Sequence, residues 1–154
     1  APRKLCHKGK GMLHPVVHLH VINNKNQIYL QKRPLYKKIQ PGKWDTSVGG
    51  HISYGETVEQ ALMREAYEEI GLKDFKFQAI ARYRWDTDIE SELSFSFVTQ
   101  HDGPFTINPA EVDEGRFWSY NEIEQSLGKD IFTQNFEKEF SILKSTVFAP
   151  RKHK

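Results

Sequence analysis

The sequence lacks most of what would staple, anchor or disorder a chain. Cysteine occurs once, at Cys6, so an internal disulfide is excluded and the lone thiol fits a reducing, cytoplasmic setting. No apolar run approaches the ~20 residues of a membrane-spanning helix. The longest, Val16 to Ile22, is interrupted by His18 and His20, and no apolar signal core stands near the start. The chain opens on Ala1 rather than Met, which reads as a trimmed or incomplete start. Internal repeats, low-complexity tracts and Pro/Ser-rich linkers are absent. So is a dominant charge: 22 basic residues face 20 acidic ones, a net charge of +2, too little to argue for a nucleic-acid polymer as partner. An apolar fraction of 38% excludes wholesale disorder. With 154 residues, a single domain spanning 1–154 is expected, because two would each be short of a core.

What is present is patterned. Pro15, Val17, Leu19 and Val21 alternate with Val16, His18, His20 and Ile22, a period of two that predicts a strand. Asn23-Asn24-Lys25-Asn26 is turn chemistry, and residues 28–31 read as the returning strand. Residues 34–43 form a lysine-rich loop. Residues 44–52 read as extended, broken by Gly49-Gly50. Then the period changes. Thr57 and Gln60 make a capping box and Gly71 a stop signal, so a helix of about 13 residues lies between them. Further strands are expected near 75–85, 93–100 and 115–119, and helices over 121–127 and 134–145. Strands interspersed with helices predict an α/β (α+β) domain, a mixed sheet packed between helices. Its core covers about 14–120, with a C-terminal helical segment over about 121–145.

Acidic residues are concentrated in one place. Glu56, Glu59, Glu65, Glu68 and Glu69 fall within residues 56–69, with only Arg64 against them. On a helical wheel Glu65, Glu68 and Glu69 share an arc of about 100°, and Leu62, Met63, Ala66, Tyr67 and Ile70 occupy the side expected to be buried. Three neighbouring like charges repel one another. The plain reading is a solvated acidic face; the other is a cluster of hard oxygen ligands suited to Mg²⁺ or Mn²⁺.

The flanking residues favour the second reading. Gly50, five residues, Glu56, seven residues, then Arg64-Glu65-Ala66-Tyr67-Glu68-Glu69-Ile70-Gly71-Leu72 resembles the Nudix box in full. The resemblance covers about residues 14–120 and implies a Nudix-type α/β/α sandwich. It also implies a MutT-like, metal-binding hydrolase that cleaves a diphosphate linkage in a nucleoside-diphosphate-type or other organic diphosphate. By the same resemblance Gly50, Glu56, Glu65, Glu68 and Glu69 are the metal residues, holding magnesium or manganese. Glu65, Glu68, Glu69 and Arg64 are then catalytic, Arg64 by orienting a glutamate. The expected partner is a small-molecule diphosphate, with a homodimer allowed and neither nucleic acid nor membrane required.

A second layer is similar to the branch containing isopentenyl-diphosphate isomerase. It rests on residues 33–44 and on Ser47-Val48-Gly49-Gly50-His51. His7, His14 and His51 match that enzyme's metal-binding histidines, and Glu90 and Glu92 its glutamates. This implies either a second metal site, for Zn²⁺ or Mn²⁺, or a hydrogen-bonded pocket. Arg33 and Lys37 match diphosphate-contacting residues, and Tyr83 matches a catalytic tyrosine grouped with them at the substrate. The branch departs here in two ways. Gly49 stands where the isomerase needs its cysteine, and Glu65 stands where isomerases carry a basic residue. Both favour a hydrolase; an isomerase-like enzyme and a non-catalytic Nudix-like ligand-binding domain are the alternatives. His18 and His20 share a strand face and read as ordinary polar positions unless they ligate metal.

Overall fold

The structure is a computed structural model and describes residues 13–36, 40–86 and 91–149. Its elements run β1 (Leu13–Ile22), β2 (Ile28–Lys32), β3 (Trp44–Asp45), β4 (Val48–His51), α1 (Val58–Ile70), β5 (Gln78–Asp86), β6 (Ser91–Gln100), β7 (Glu114–Trp118), α2 (Tyr120–Ser126) and α3 (Gln134–Ser145). Among these residues no helix is long and apolar enough to cross a membrane.

The alternation along 15–22 builds the central strand. β1 runs parallel to β6, from Leu13 opposite Ser91 to Ile22 opposite Gln100. On its other side it is antiparallel to β4, over Val16 to Leu19, and meets β2 at Ile22. The sheet is ordered β3-β2-β1-β6-β5, with β4 added beside β1 and β7 beside β2. One parallel pair among antiparallel ones makes it mixed.

Because side chains alternate between faces, β1 feeds two cores. Val17, Leu19 and Val21 pack with Ala61, Leu62, Ala66 and Ile70 of α1. Ile22 joins Ile123 of α2 and Phe136, Phe140 and Leu143 of α3 on the opposite face. The result is an α/β/α sandwich. Leu62 and Ile70 are essentially fully buried, which contributes about 1.5–3 kcal/mol each.

α1 starts and stops as its residues dictate. The Thr57 hydroxyl accepts from the Gln60 N–H at 3.1 Å, and the Gln60 side chain accepts from the Thr57 N–H at 3.0 Å. Gly71 closes the helix at φ 70°, a left-handed conformation that glycine adopts without strain.

Three expectations are corrected. Gly49-Gly50 do not break the extended segment; both pair within β4, opposite His18 and Val17. The break falls at Thr46-Ser47. There the Ser47 hydroxyl accepts from the Val21 N–H and donates to the Tyr29 carbonyl, which ties the turn to two strands. β5 begins at Gln78 rather than Phe75. Asp74 has φ 49°, and Phe75 and Phe77 turn into the α1 core. Finally, Tyr67 is exposed, with the Lys73 ammonium 4.6 Å from its ring centroid, whereas Glu69 is buried on the sheet-facing side of α1.

Behind the sheet, α3 carries a buried carboxylate within its apolar stripe of Phe136, Phe140 and Leu143. Glu139 lies 2.7 Å from His20 Nε2 and accepts from the Ser96 hydroxyl at 2.8 Å and from the Tyr83 hydroxyl. Burial pushes this carboxyl up, but the field of His18, the His20 and Tyr83 hydrogen bonds and the His20 charge outweigh it and hold it at about 2. A depressed folded value means a contribution present above the ordinary carboxylate range and lost as pH falls toward 2. Glu139→Ala should therefore lower stability by about 3–5 kcal/mol at neutral pH, as expected for breaking a buried pair. The difference from wild type should shrink as the solution is acidified, which urea melts across pH 7 to 3 will read.

Candidate active site

Arg64 organises the glutamates. Its fork donates to Glu56 through Nε at 2.7 Å and Nη2 at 3.0 Å. Nη1 donates to Glu65 and to Glu68, each at 3.1 Å, and Nη2 also reaches the His51 carbonyl at 3.1 Å. A planar guanidinium suits this work, because its five donors are fixed in direction. The Arg64 hydrogen bonds hold Glu56 down at about 2, so it stays ionised. The i,i+4 spacing of Arg64 and Glu68 on one helix, and the loop carrying Glu56 ahead of it, bring these charges together.

Glu69 is held differently. Its Oε1 accepts from Gln31 Nε2 at 2.6 Å and from the Gly49 N–H at 3.3 Å, and Gln31 also donates to the Ser47 carbonyl at 2.8 Å. Burial and a hydrogen bond with Glu65 push the Glu69 carboxyl well above its ordinary range. The Glu65 carboxyl lies directly over Gly50, in space that a Cβ there would fill. Gly50 is thus a matter of close approach, and β4 brings it against α1.

These side chains border an open cleft of about 540 Å³, lined by Gly50, Arg64, Glu65 and Glu69 together with Arg33, His18, Glu92 and Asn135. Arg33 lies 3.7 Å from Asp45. The His14 and His51 rings stand edge-on, 6.0 Å apart. Glu92 is buried beside His14 in the β1–β6 ladder. Tyr83 does not line the cleft; burial and Glu139 push its phenol up, and its hydroxyl is committed to Glu139. His7, Lys37 and Glu90 lie outside the described residues. Among the described residues no three His, Cys, Asp or Glu side chains converge as a ready metal cage. Arg64 sets positive charge directly against the carboxylates.

The donor set fits a hard divalent cation. It is all oxygen, and it sets the part-buried Glu65 beside the buried Glu69, two like charges that a cation would neutralise. Because burial raises the Glu69 carboxyl, Mg²⁺ binding should compete with its protonation, and affinity should fall as pH is lowered. Calorimetry in two buffers of different ionisation enthalpy will show this as a buffer-dependent heat. Equal heats would show that binding is not linked to a proton.

Gln31 escaped the reading of the sequence. Its signal was there: it follows Tyr29 by two, so it shares the core-facing side of β2, where a polar side chain needs a partner. A sequence profile described as the NUDIX domain matches residues 12–140. The chain belongs to the Nudix family. It is 33% identical over 145 residues to "Isopentenyl-diphosphate Delta-isomerase 1" of Photorhabdus laumondii, across 88% of this chain and 82% of that one. It is also 33% identical over 116 residues to an uncharacterized Nudix hydrolase of Listeria monocytogenes, across 74% and 68%. The MutT NUDIX hydrolase of Burkholderia pseudomallei superposes with a TM-score of 0.72 at 16% identity, covering 86% of this chain and 98% of that one, a likeness of fold alone. The Nudix helix is α1, and its relatives carry both hydrolase and isomerase names.

Proposed function

We propose that the protein is a divalent-metal-dependent hydrolase of an organic diphosphate, cleaving the phosphoanhydride bond. The observation that carries this reading is the part-buried Glu65 held over Gly50 beside the buried Glu69, with Glu56 and Glu68 held by Arg64, at a polar cleft. Glu65, Glu68 and Glu69, with Glu56 and the Gly50 carbonyl, would hold Mg²⁺ or Mn²⁺. Such an ion neutralises phosphate charge and lowers the pKa of water. Hydrolysis forms a bond from a water oxygen to phosphorus, breaks the bridging P–O bond and liberates a proton. A carboxylate of the Glu65–Glu69 pair is placed to take up that proton. Arg64 keeps the pair oriented, and Arg33 meets the negative charge of the diphosphate from the cleft wall. Isomerisation would need a group to move a proton on carbon, and Gly49 has none to offer.

The test is phosphate release, or mass-spectrometric detection of the cleaved monophosphates, from nucleoside, sugar, dinucleotide and prenyl diphosphates with Mg²⁺ and Mn²⁺, alongside NMR of isopentenyl diphosphate in deuterated water. Metal-dependent phosphate release without allylic deuterium is expected. Isomerisation at enzyme-like rates with no phosphate release would overturn the proposal.

A further inference from the structure

Arg64 holds Glu56, Glu65 and Glu68, but Glu69 is held by neutral donors. Its Oε1 accepts from Gln31 Nε2 at 2.6 Å and from the Gly49 N–H at 3.3 Å. A carboxylate oxygen offers two lone-pair sites. Oε1 therefore has both in use, and Oε2 is the oxygen left for a cation.

The Gln31 amide has little freedom to give way. Both of its N–H bonds are committed, one to Glu69 and the other to the Ser47 carbonyl at 2.8 Å. With two acceptors before it, that end of the amide has to be nitrogen. Ser47 is itself buried, and its hydroxyl is bonded to the Val21 N–H and the Tyr29 carbonyl. The Gln31 backbone is anchored as well, because β2 pairs there with Asp45 of β3 and with Gly115 of β7. A hydrogen-bond partner fixed in this way sets how a ligand meets its metal.

The number of oxygens that Glu69 presents matters to ions of different size. Mg²⁺ is small and demands near-ideal octahedral geometry, which the narrow two-oxygen bite of one carboxylate does not fit. Ca²⁺ takes about six to eight oxygens and accepts both from one carboxylate. A Glu69 limited to Oε2 suits the first ion and withholds an oxygen from the second.

We propose that Gln31 is a positioning residue that limits Glu69 to one oxygen and so tilts the site toward Mg²⁺ over Ca²⁺. This rests on the metal-dependent reading above and adds to it a determinant of which ion the site takes. Gln31 acts through Glu69 rather than as a ligand.

Gln31→Met keeps the length of the side chain and removes both donors. Gln31→Leu removes them on a branched stem, and Gln31→Asn keeps them on a stem one methylene shorter. The dissociation constants of Mg²⁺ and Ca²⁺ are measured by calorimetry on each substrate-free protein at one pH. Gln31→Met should shift the affinity ratio toward Ca²⁺ by about tenfold, or about 1.4 kcal/mol, and Gln31→Asn should return part of it. A merely structural loss would weaken both ions alike and leave the ratio unmoved. An unchanged ratio in Gln31→Met therefore overturns the role of Gln31 and leaves the hydrolase standing. Gln31→Leu carries the same expectation and decides the matter if Gln31→Met does not fold. Failure of the wild type to bind either ion overturns both readings. A shifted ratio in a protein that hydrolyses no diphosphate of the wider panel supports Gln31 and counts against the hydrolase reading alone.

Discussion

Glu69→Gln should abolish most of the hydrolysis, lowering kcat by about 10²–10³, while making the metal-free protein no less stable. The first effect follows from removing a charged ligand from a hard-cation site, which weakens both metal binding and water activation. The second follows from the sign of its titration. Burial and Glu65 raise the Glu69 carboxyl above its unfolded value. A raised carboxyl makes folding less favourable as pH climbs through and beyond the ordinary carboxylate range, because the unfolded chain ionises more readily than the folded one. Glutamine removes that liability and keeps an oxygen to accept from Gln31 and the Gly49 N–H. Without added metal, the variant's melting temperature should therefore equal or exceed that of wild type, with the gap widening from pH 5 to pH 8. Glu65→Gln and Glu68→Gln should also lose at least about 10² in turnover. Full activity of all three variants at limiting Mg²⁺ would refute the assignment.

The elements whose signals are local were legible in the residues. Alternation along 15–22 gave β1 with both its faces, and Thr57, Gln60 and Gly71 bounded α1 because capping is settled within a few residues. What could not be read was decided across the sheet. A wheel built from apolar residues put Tyr67 inside and left the glutamates outside. In the structure the sheet-facing arc runs through Glu69, because Gln31 and the Gly49 N–H on neighbouring strands offer it hydrogen bonds. Glu139 was obscured for the same reason: a carboxylate in an apolar stripe makes sense only once His20, Ser96 and Tyr83 are known to face it. The fate of Tyr83 shows the limit of matching residues one by one, since its hydroxyl goes to α3 instead of the cleft. The box itself was legible as spacing, but Arg64 as the hub joining Glu56, Glu65 and Glu68 emerges only from the geometry.

The glycines of β4 bring these threads together. Gly49-Gly50 looked like a break, yet both lie in a paired strand, and the missing side chain at Gly50 admits the Glu65 carboxyl of α1. Gly50→Ala should accordingly separate activity from stability. A Cβ at position 50 would overlap the Glu65 carboxyl, so that carboxyl has to move. It is the far end of a flexible side chain, not backbone, and the backbone at Gly50 does not sit at positive φ. Relief is therefore cheap for the fold: the expected loss of stability is about 1 kcal/mol or less, and β4 keeps its pairing with Val17. It is expensive for the chemistry. A displaced Glu65 loses its Arg64 contact and its hydrogen bond with Glu69, and a misplacement of about 1 Å at a reacting centre can cost on the order of 10² in rate. The expected result is a folded protein with kcat reduced by about 10² and weakened Mg²⁺ binding. Urea melts, phosphate release and two-buffer calorimetry on the one variant check all three. A Gly50→Ala protein with wild-type turnover would show that Glu65 does its work from elsewhere, and a protein that fails to fold would show that the close approach of β4 to α1 is a requirement of the sandwich itself.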